Sequence, residues 1–448
     1  MEQRTGLTRV IVTGLFGLRN YDIRLDESAT TVLTGGNGTG KSTILRLINA
    51  VATGDVRTLV RAPVSELTLI FVDQSVFRLT PEAGRRAAVN WRGNEGYVEE
   101  SLVDPDIPEW AHTAVLEGDE ADEQMELLRS AALEAEVSTD EVIRVRRRLL
   151  ARRDSLRVSS SKERRDFVEY SAPDWFSELS ENFAVLFVSD QRLVTVPGDS
   201  GEYERVVRRV TRSAVEAASL DISEQMRRVD TRYAHISQMH DRRFPRDVID
   251  AMSSSNSLSV ERLETLISRV SSKREMLRGV GLLELEDGFE PEIAGESLER
   301  TEVRPVLATF LTATLRKLAV LEELAEQLQL FKQFLDDRFD PKVLVLTRRS
   351  GLKFRVASGA LVRASQLSSG EQQMLILAYE VLFRSKPGTL VIIDEPELSL
   401  HVRWQHTLLQ SLRQMGAPRG LHFLLATHSP VLLASTPEVE RSLDEDLD

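Results

Sequence analysis

The sequence predicts an α/β fold: a mixed sheet with flanking helices, split by a long, mainly α-helical insertion. Three observations predict it. The first 50 residues alternate apolar and polar positions and then switch to helical spacing, the middle of the chain is charged and helix-like, and period-two patterning returns after Pro341. The divisions fall at 1–105, 106–335 and 336–448.

In chain order, Val10–Val12 and Tyr21–Leu25 read as strands around a turn at Gly14 and Gly17, and Thr31–Leu33 as a buried third strand. The run Gly35, Gly36, Asn37, Gly38, Thr39, Gly40, Lys41, Ser42 and Thr43 follows, leading into the apolar helix ILRLINAVA. The segment SELTLIFVDQSVFRLTPE alternates on both sides of Asp73, Gln74 and Ser75, as a hairpin does. Leu116–Asp140 then holds nine acids and one base, for −8, and Glu141–Asp166 ten bases and four acids, for +6. Ser138 and Glu141 make a capping box at the second block. Such blocks are read first as solvated helical faces. Phe183–Val188 is strand-like and precedes Gln191 and Arg192, and a serine-rich break spans Ser253–Ser259. Leu311, Leu315, Leu318, Leu321, Leu324, Leu328, Phe331 and Leu335 recur at steps of three and four, the stripe of a helix of about 30 residues. KVLVLT and LKFRV form a hairpin before LSSGEQQ and a helix to about Arg384, followed by the buried strand LVII and the strand HFLLA.

Composition narrows the function classes. The chain has 448 residues, 57 basic and 70 acidic, for a net charge of −13, which disfavours indiscriminate coating of nucleic acid. Zero cysteine excludes disulfides, thiolate zinc sites, iron–sulfur clusters and cysteine nucleophiles. The sequence lacks both a membrane-length apolar run and a signal-peptide core, so a soluble, cytoplasmic protein is expected.

Four segments carry chemistry. Gly35–Ser42 matches G-x-x-x-x-G-K-[ST] between strand and helix: its amides wrap phosphates, Lys41 reaches the β and γ phosphates and Ser42 ligates magnesium. Asp394 ends a buried strand, where it holds the magnesium shell, and Glu395 beside it orients and deprotonates water. Ser368, Ser369, Gly370 and Glu371 open a helix whose hydroxyl and amides suit an anion; alone they are a good N-cap. His428, in THS after FLLA, sits at a strand end 34 residues beyond Asp394. His235 and His240 lack the H-E-x-x-H pattern, and the arginines around them, with Arg144–Arg153, form either solvated faces or a phosphate-binding or acidic-partner face.

Together these segments resemble the ATP-binding-cassette class of ATPases, over roughly residues 5–75 and 340–432. The resemblance implies a P-loop head with an antiparallel β subdomain, ATP and Mg2+ as ligands, and a head-to-tail homodimer in which the signature LSSGEQQ closes over a partner's nucleotide. Ser42 and Ser368 stand 326 residues apart, far more than in transporter cassettes, so RecF, SMC and OLD-like ATPases are the nearer comparison. DEPELSLHVRWQ looks most like the OLD-like AAA group, including ATPases of phage-defence modules such as Septu and PARIS. Only 20 residues follow His428, so no Toprim nuclease domain is expected in this chain, and the missing cysteines exclude a zinc hook. The class also has a glutamine that senses metal and γ phosphate; Gln191 is preferred over Gln74 as ATP and metal contact, and Phe16 or Tyr21 would stack the adenine.

The resulting expectation is an ATP-hydrolysing switch, with Lys41, Glu395 and His428 catalytic and Ser42, Asp394 and Gln191 at the metal. It would control a separate effector, an HNH or Toprim nuclease or a toxin, in anti-phage defence. Dimers or higher oligomers form without a membrane, and nucleic acid stays open as a partner. The rivals are a DNA-repair or chromosome-maintenance ATPase and an ATP-gated scaffold with little turnover.

Overall fold

The computed structural model describes residues 6–26, 29–82, 86–93, 96–104, 173–189, 213–253, 259–283, 300–348, 351–434 and 437–444. The acidic and basic blocks of 116–166, the capping pair Ser138 and Glu141, and Gln191 with Arg192 lie outside them. The chain divides into two compact units. The first comprises Met1–Asp190, Ser385–Leu398 and Gln405–Asp448; the second comprises Gln191–Arg384 and Ser399–Trp404.

The first unit holds two sheets. The strands β1 (Leu7–Leu15), β2 (Arg19–Arg24), β4 (Glu66–Phe71), β5 (Val76–Pro81), β6 (Arg86–Gly93) and β7 (Gly96–Val103) form one antiparallel sheet, ordered β2-β1-β4-β5-β6-β7. Alternation decides its faces: Val10, Val12, Leu67, Leu69, Phe77, Leu79, Ala87 and Val89 are buried. The expected hairpin about Asp73–Ser75 is β4–β5, with Gln74 in its turn at φ 64°.

The second sheet is parallel. Strands β3 (Thr30–Thr34), β8 (Val185–Val188), β12 (Leu390–Asp394), β13 (His422–Ala426) and β14 (Glu440–Ser442) lie in the order β14-β3-β13-β12-β8. The interior strand β12 is buried at every position, as its unbroken apolar run requires. Helix α1 (Lys41–Thr53) follows the glycine-rich loop, and its Ile44, Leu45, Leu47 and Ile48 join the core shared by both sheets. After α2 (Val56–Val60), the helix α3 (Asp174–Asn182) closes this core: Phe176 stacks on Phe77 at 5.9 Å and Trp175 on Trp91 at 6.5 Å.

The second unit is built on long helices. These are α4 (Ala214–Ser253), α5 (Val260–Gly279) and α6 (Arg304–Phe339), the last realising the predicted leucine stripe over 36 residues. Leu311, Leu318, Leu321, Leu324, Leu328, Phe331 and Leu335 are buried along it. The strands β9 (Val343–Thr347), β10 (Gly351–Arg355) and β11 (Leu361–Arg363) form a small antiparallel sheet before α7 (Ser369–Tyr379), which runs on as a π turn over Glu380–Arg384. Phe339 packs on Phe354 at 5.6 Å and Phe331 on Phe383 at 5.4 Å. The helix α8 (Val402–Gly416) follows β12 in the chain. The described residues thus form a mixed α/β fold with long helical segments.

Two parts of the fold had no clear sequence pattern. Strand β7 is largely exposed, with Glu99 and Glu100 in its middle, and β14 is three residues long, too short for periodicity to register.

Candidate functional site

The first unit brings together the phosphate loop, the end of β12 and the end of β13. The loop runs from β3 into α1, and its turns need glycine. Gly40 has φ 95°, and a Cβ there would stand 2.3 Å from Leu15 Cδ2. Tyr21, buried in the core, donates its hydroxyl to Thr39 O at 2.9 Å and so braces the loop from beneath. That position removes Tyr21 as a stacking surface. Phe16 instead is 50% exposed, and its ring lies 3.4 Å from the Cβ position of Gly40.

Lys41 Nζ donates to Gly35 O at 2.8 Å and Gly36 O at 3.1 Å. Burial pulls the ammonium below its ordinary pKa, while the carboxylates of Asp444, Glu395, Asp394 and Glu397 oppose that shift. Ser42 Oγ donates to Asp394 Oδ1 at 2.9 Å, across 352 residues of sequence. A hydroxyl beside a carboxylate is a hard oxygen pair, and with phosphate oxygens it suits magnesium, so the donor chemistry fits that ion.

Glu395 follows β12 with φ 47°, a left-handed conformation that costs a non-glycine residue energy and directs the chain sharply off the strand. Its backbone N–H donates to Ala426 O at 2.9 Å, tying the ends of β12 and β13 together. His428, just beyond β13, is exposed.

Three groups beside these residues were given no role by the sequence, although Glu397 and Gln405 lie within DEPELSLHVRWQ. Glu397 Oε1 accepts from Thr427 Oγ1 at 2.7 Å and from the His428 N–H at 2.9 Å, so it holds the segment that bears the histidine. Ser429 Oγ donates to Gln405 Oε1 at 2.9 Å. Asp444 Oδ1 accepts the Gly36 N–H at 2.8 Å, delivered there because β14 pairs with β3 and Leu443 is buried.

The signature lies in the second unit. Ser368 is the N-cap of α7, with Ser368 and Ser369 exposed and Gly370 buried. A Cβ on Gly370 would stand 2.6 Å from Ser399 O, so only glycine fits beneath that loop. Glu371 returns the cap: its Oε2 accepts the Ser368 N–H at 2.9 Å. Gln191 lies outside the described residues, although β8, which precedes it, pairs with β12.

Comparison with known proteins adds the following. Residues 286–434 match the family described as "AAA domain, putative AbiEii toxin, Type IV TA system". A "Retron Vc95 probable ATPase" of Vibrio cholerae serotype O1 biovar El Tor is 25% identical over 215 residues, 45% of this chain, and the match spans 37% of that relative's length. Among solved structures, the Smc head domain from Pyrococcus furiosus bound to the C-terminal domain of ScpA is 12% identical, with a TM-score of 0.35 over 96% of this chain and 91% of that one. The SMC head domain from Thermotoga maritima is 11% identical, with a TM-score of 0.35 over 98% and 94%. Among the described residues no helix is long and apolar enough to cross a membrane. Over residues 286–434, which include the strand-end acid that meets the phosphate loop, the chain is thus similar to an AAA-type domain.

Proposed function

We propose that this protein is an ATP-hydrolysing molecular switch that dimerises head to tail around ATP and magnesium and controls a separately encoded effector in anti-phage defence. The observation that carries the reading is the 2.9 Å bond between Ser42 and Asp394, which joins the phosphate loop to the acid strand. The loop amides and Lys41 bind the phosphates, and Ser42 and Asp394 hold magnesium, which supplies charge neutralisation at the phosphates when bound. Glu395 accepts the proton of the attacking water, a contribution of about 10² to 10⁴ fold. His428 meets the γ phosphate from the end of β13, and Gln191 senses the metal. The signature Ser368–Glu371 completes a site on a second copy. The likeness to a retron ATPase supports the defence role, with an HNH or Toprim nuclease or a toxin as the effector.

The test is Glu395→Gln together with subunit mixing. The substitution should retain ATP binding and trap a dimer with hydrolysis nearly abolished; full turnover refutes the assignment. A Ser368→Ala chain mixed with a Lys41→Ala chain should recover part of the activity, and no recovery counts against shared sites. Tight ATP binding with negligible turnover in the unaltered chain would favour the scaffold reading.

A second reading, direct binding of nucleic acid, is favoured by one face of α4. Arg228, Arg232, His235, Arg242 and Arg246 recur there at helical spacing and are exposed, with the Arg228 and Arg246 side chains 75% and 87% so. ATP-dependent affinity for duplex DNA that falls steeply with salt, without any partner, would support it.

A further inference from the structure

The signature segment carries an electrostatic feature that its motif does not explain. Ser368, exposed at the start of α7, offers its hydroxyl to an incoming anion, yet that hydroxyl already donates to Glu371 Oε2 at 2.8 Å. The same oxygen accepts the Ser368 N–H at 2.9 Å. A phosphate brought to Ser368 therefore approaches a carboxylate that competes for the same proton and repels it. Burial works against the ionised form of Glu371, but hydrogen bonds from Lys342 and Ser368 together hold its pKa below the ordinary carboxylate value. An ionised Glu371 places a negative charge beside Ser368 that has to be countered.

Lys342 counters it. This residue directly precedes β9, and its Nζ lies 2.7 Å and 2.9 Å from the two carboxylate oxygens of Glu371. The lysine side chain is 30% exposed and the glutamate 10%, so the pair sits in a poorly screened position. The lysine backbone is fixed as well, because its N–H donates to Phe339 O at 2.7 Å at the end of α6. Every one of these contacts lies within the second unit.

We propose that Lys342 is a positioning residue of the signature: by neutralising Glu371 it frees the Ser368 hydroxyl to turn its proton toward a nucleotide phosphate while the helix cap stays intact. This inference rests on the ATP-switch reading. Without the ammonium, Glu371 keeps the serine proton for itself and presents an uncompensated charge to the phosphate. The deficit then belongs to the carboxylate, and removing that carboxylate's charge repairs it.

The experiment is steady-state ATP hydrolysis by the full chain, with the melting midpoint of each variant measured alongside. Lys342→Met should raise KM for ATP about tenfold or more, with a smaller change in kcat, since a like charge near the phosphate weakens binding throughout. Lys342→Arg should restore most of the loss. Adding Glu371→Gln to Lys342→Met should bring KM back to within about threefold of Glu371→Gln alone, the coupling expected when two residues act through one charge. An unchanged KM in Lys342→Met overturns the proposal. So does a double variant as impaired as Lys342→Met, which would identify a purely structural ion pair. Lys41→Ala separates the two levels. Turnover that survives Lys41→Ala refutes the ATPase reading itself, whereas an unaffected Lys342→Met in a chain that needs Lys41 refutes only the role of Lys342.

Discussion

Glu397 offers a direct test of how the candidate site is held together. Its Oε1 takes two hydrogen bonds, one from the buried Thr427 hydroxyl at 2.7 Å and one from the His428 N–H at 2.9 Å. Hydrogen bonds to a charged group contribute about 1.5–3 kcal/mol each, the exposed His428 contact falling at the lower end. Glu397→Ala removes both and frees the backbone that carries His428. If about 1.4–2.8 kcal/mol of that loss is felt in the transition state, kcat falls about 10- to 100-fold. ATP affinity should not fall, because the phosphate-loop amides keep their geometry and the loss of the Glu397 carboxylate only lessens the negative charge around Lys41. Glu397→Gln retains an oxygen that accepts both bonds, and its second atom occupies the place of Oε2, which is buried without a hydrogen-bond partner. The glutamine variant should therefore keep kcat within about fivefold of the unaltered chain. The assay is steady-state phosphate release, with nucleotide affinity measured separately by fluorescence titration. A Glu397→Ala chain with unaltered kcat, or a glutamine variant as weak as the alanine one, refutes the reasoning.

Other outcomes follow from the same geometry. Tyr21→Phe keeps the ring in the core but orphans Thr39 O, so it should destabilise the loop by about 1–3 kcal/mol, visible as a lower melting midpoint and weaker nucleotide binding. Asp444→Asn removes a carboxylate from the Gly36 amide and from beside Lys41. It should tighten nucleotide binding about two- to tenfold at low salt, with the difference shrinking as salt is added. Glu371 has a folded pKa below its ordinary value of 4.5, so its stabilisation is fully present above that value and is lost as pH falls through the lowered one. Melting curves recorded down through the acid range should show this loss, and Glu371→Gln should flatten it.

Local pattern was enough for the elements of the candidate phosphate site. The spacing of Gly35, Gly40, Lys41 and Ser42 and the apolar run ending at Asp394 are each contiguous, and a glycine turn or a buried strand leaves its mark on neighbouring residues. The leucine stripe of α6 was legible for the same reason. Strand β7 was not, because most of it is exposed and tolerates glycine, serine and the glutamates Glu99 and Glu100, which erases alternation.

The site's wiring lay beyond any such reading. Ser42 and Asp394 meet across 352 residues, and Gly36 and Asp444 across 408. The choice of Tyr21 as brace and Phe16 as exposed ring depended on which side of the β1–β2 hairpin faces the core. Lys342 and Glu371 are 29 residues apart, and nothing in either neighbourhood marks them as a pair. The sequence by itself determined the chemical groups available: a phosphate loop, a strand-end acid pair, a signature cap and no thiol. Tertiary structure alone decided which carboxylate faces which donor, because hydrogen bonds and charge compensation act over a few ångströms in space whatever the separation along the chain.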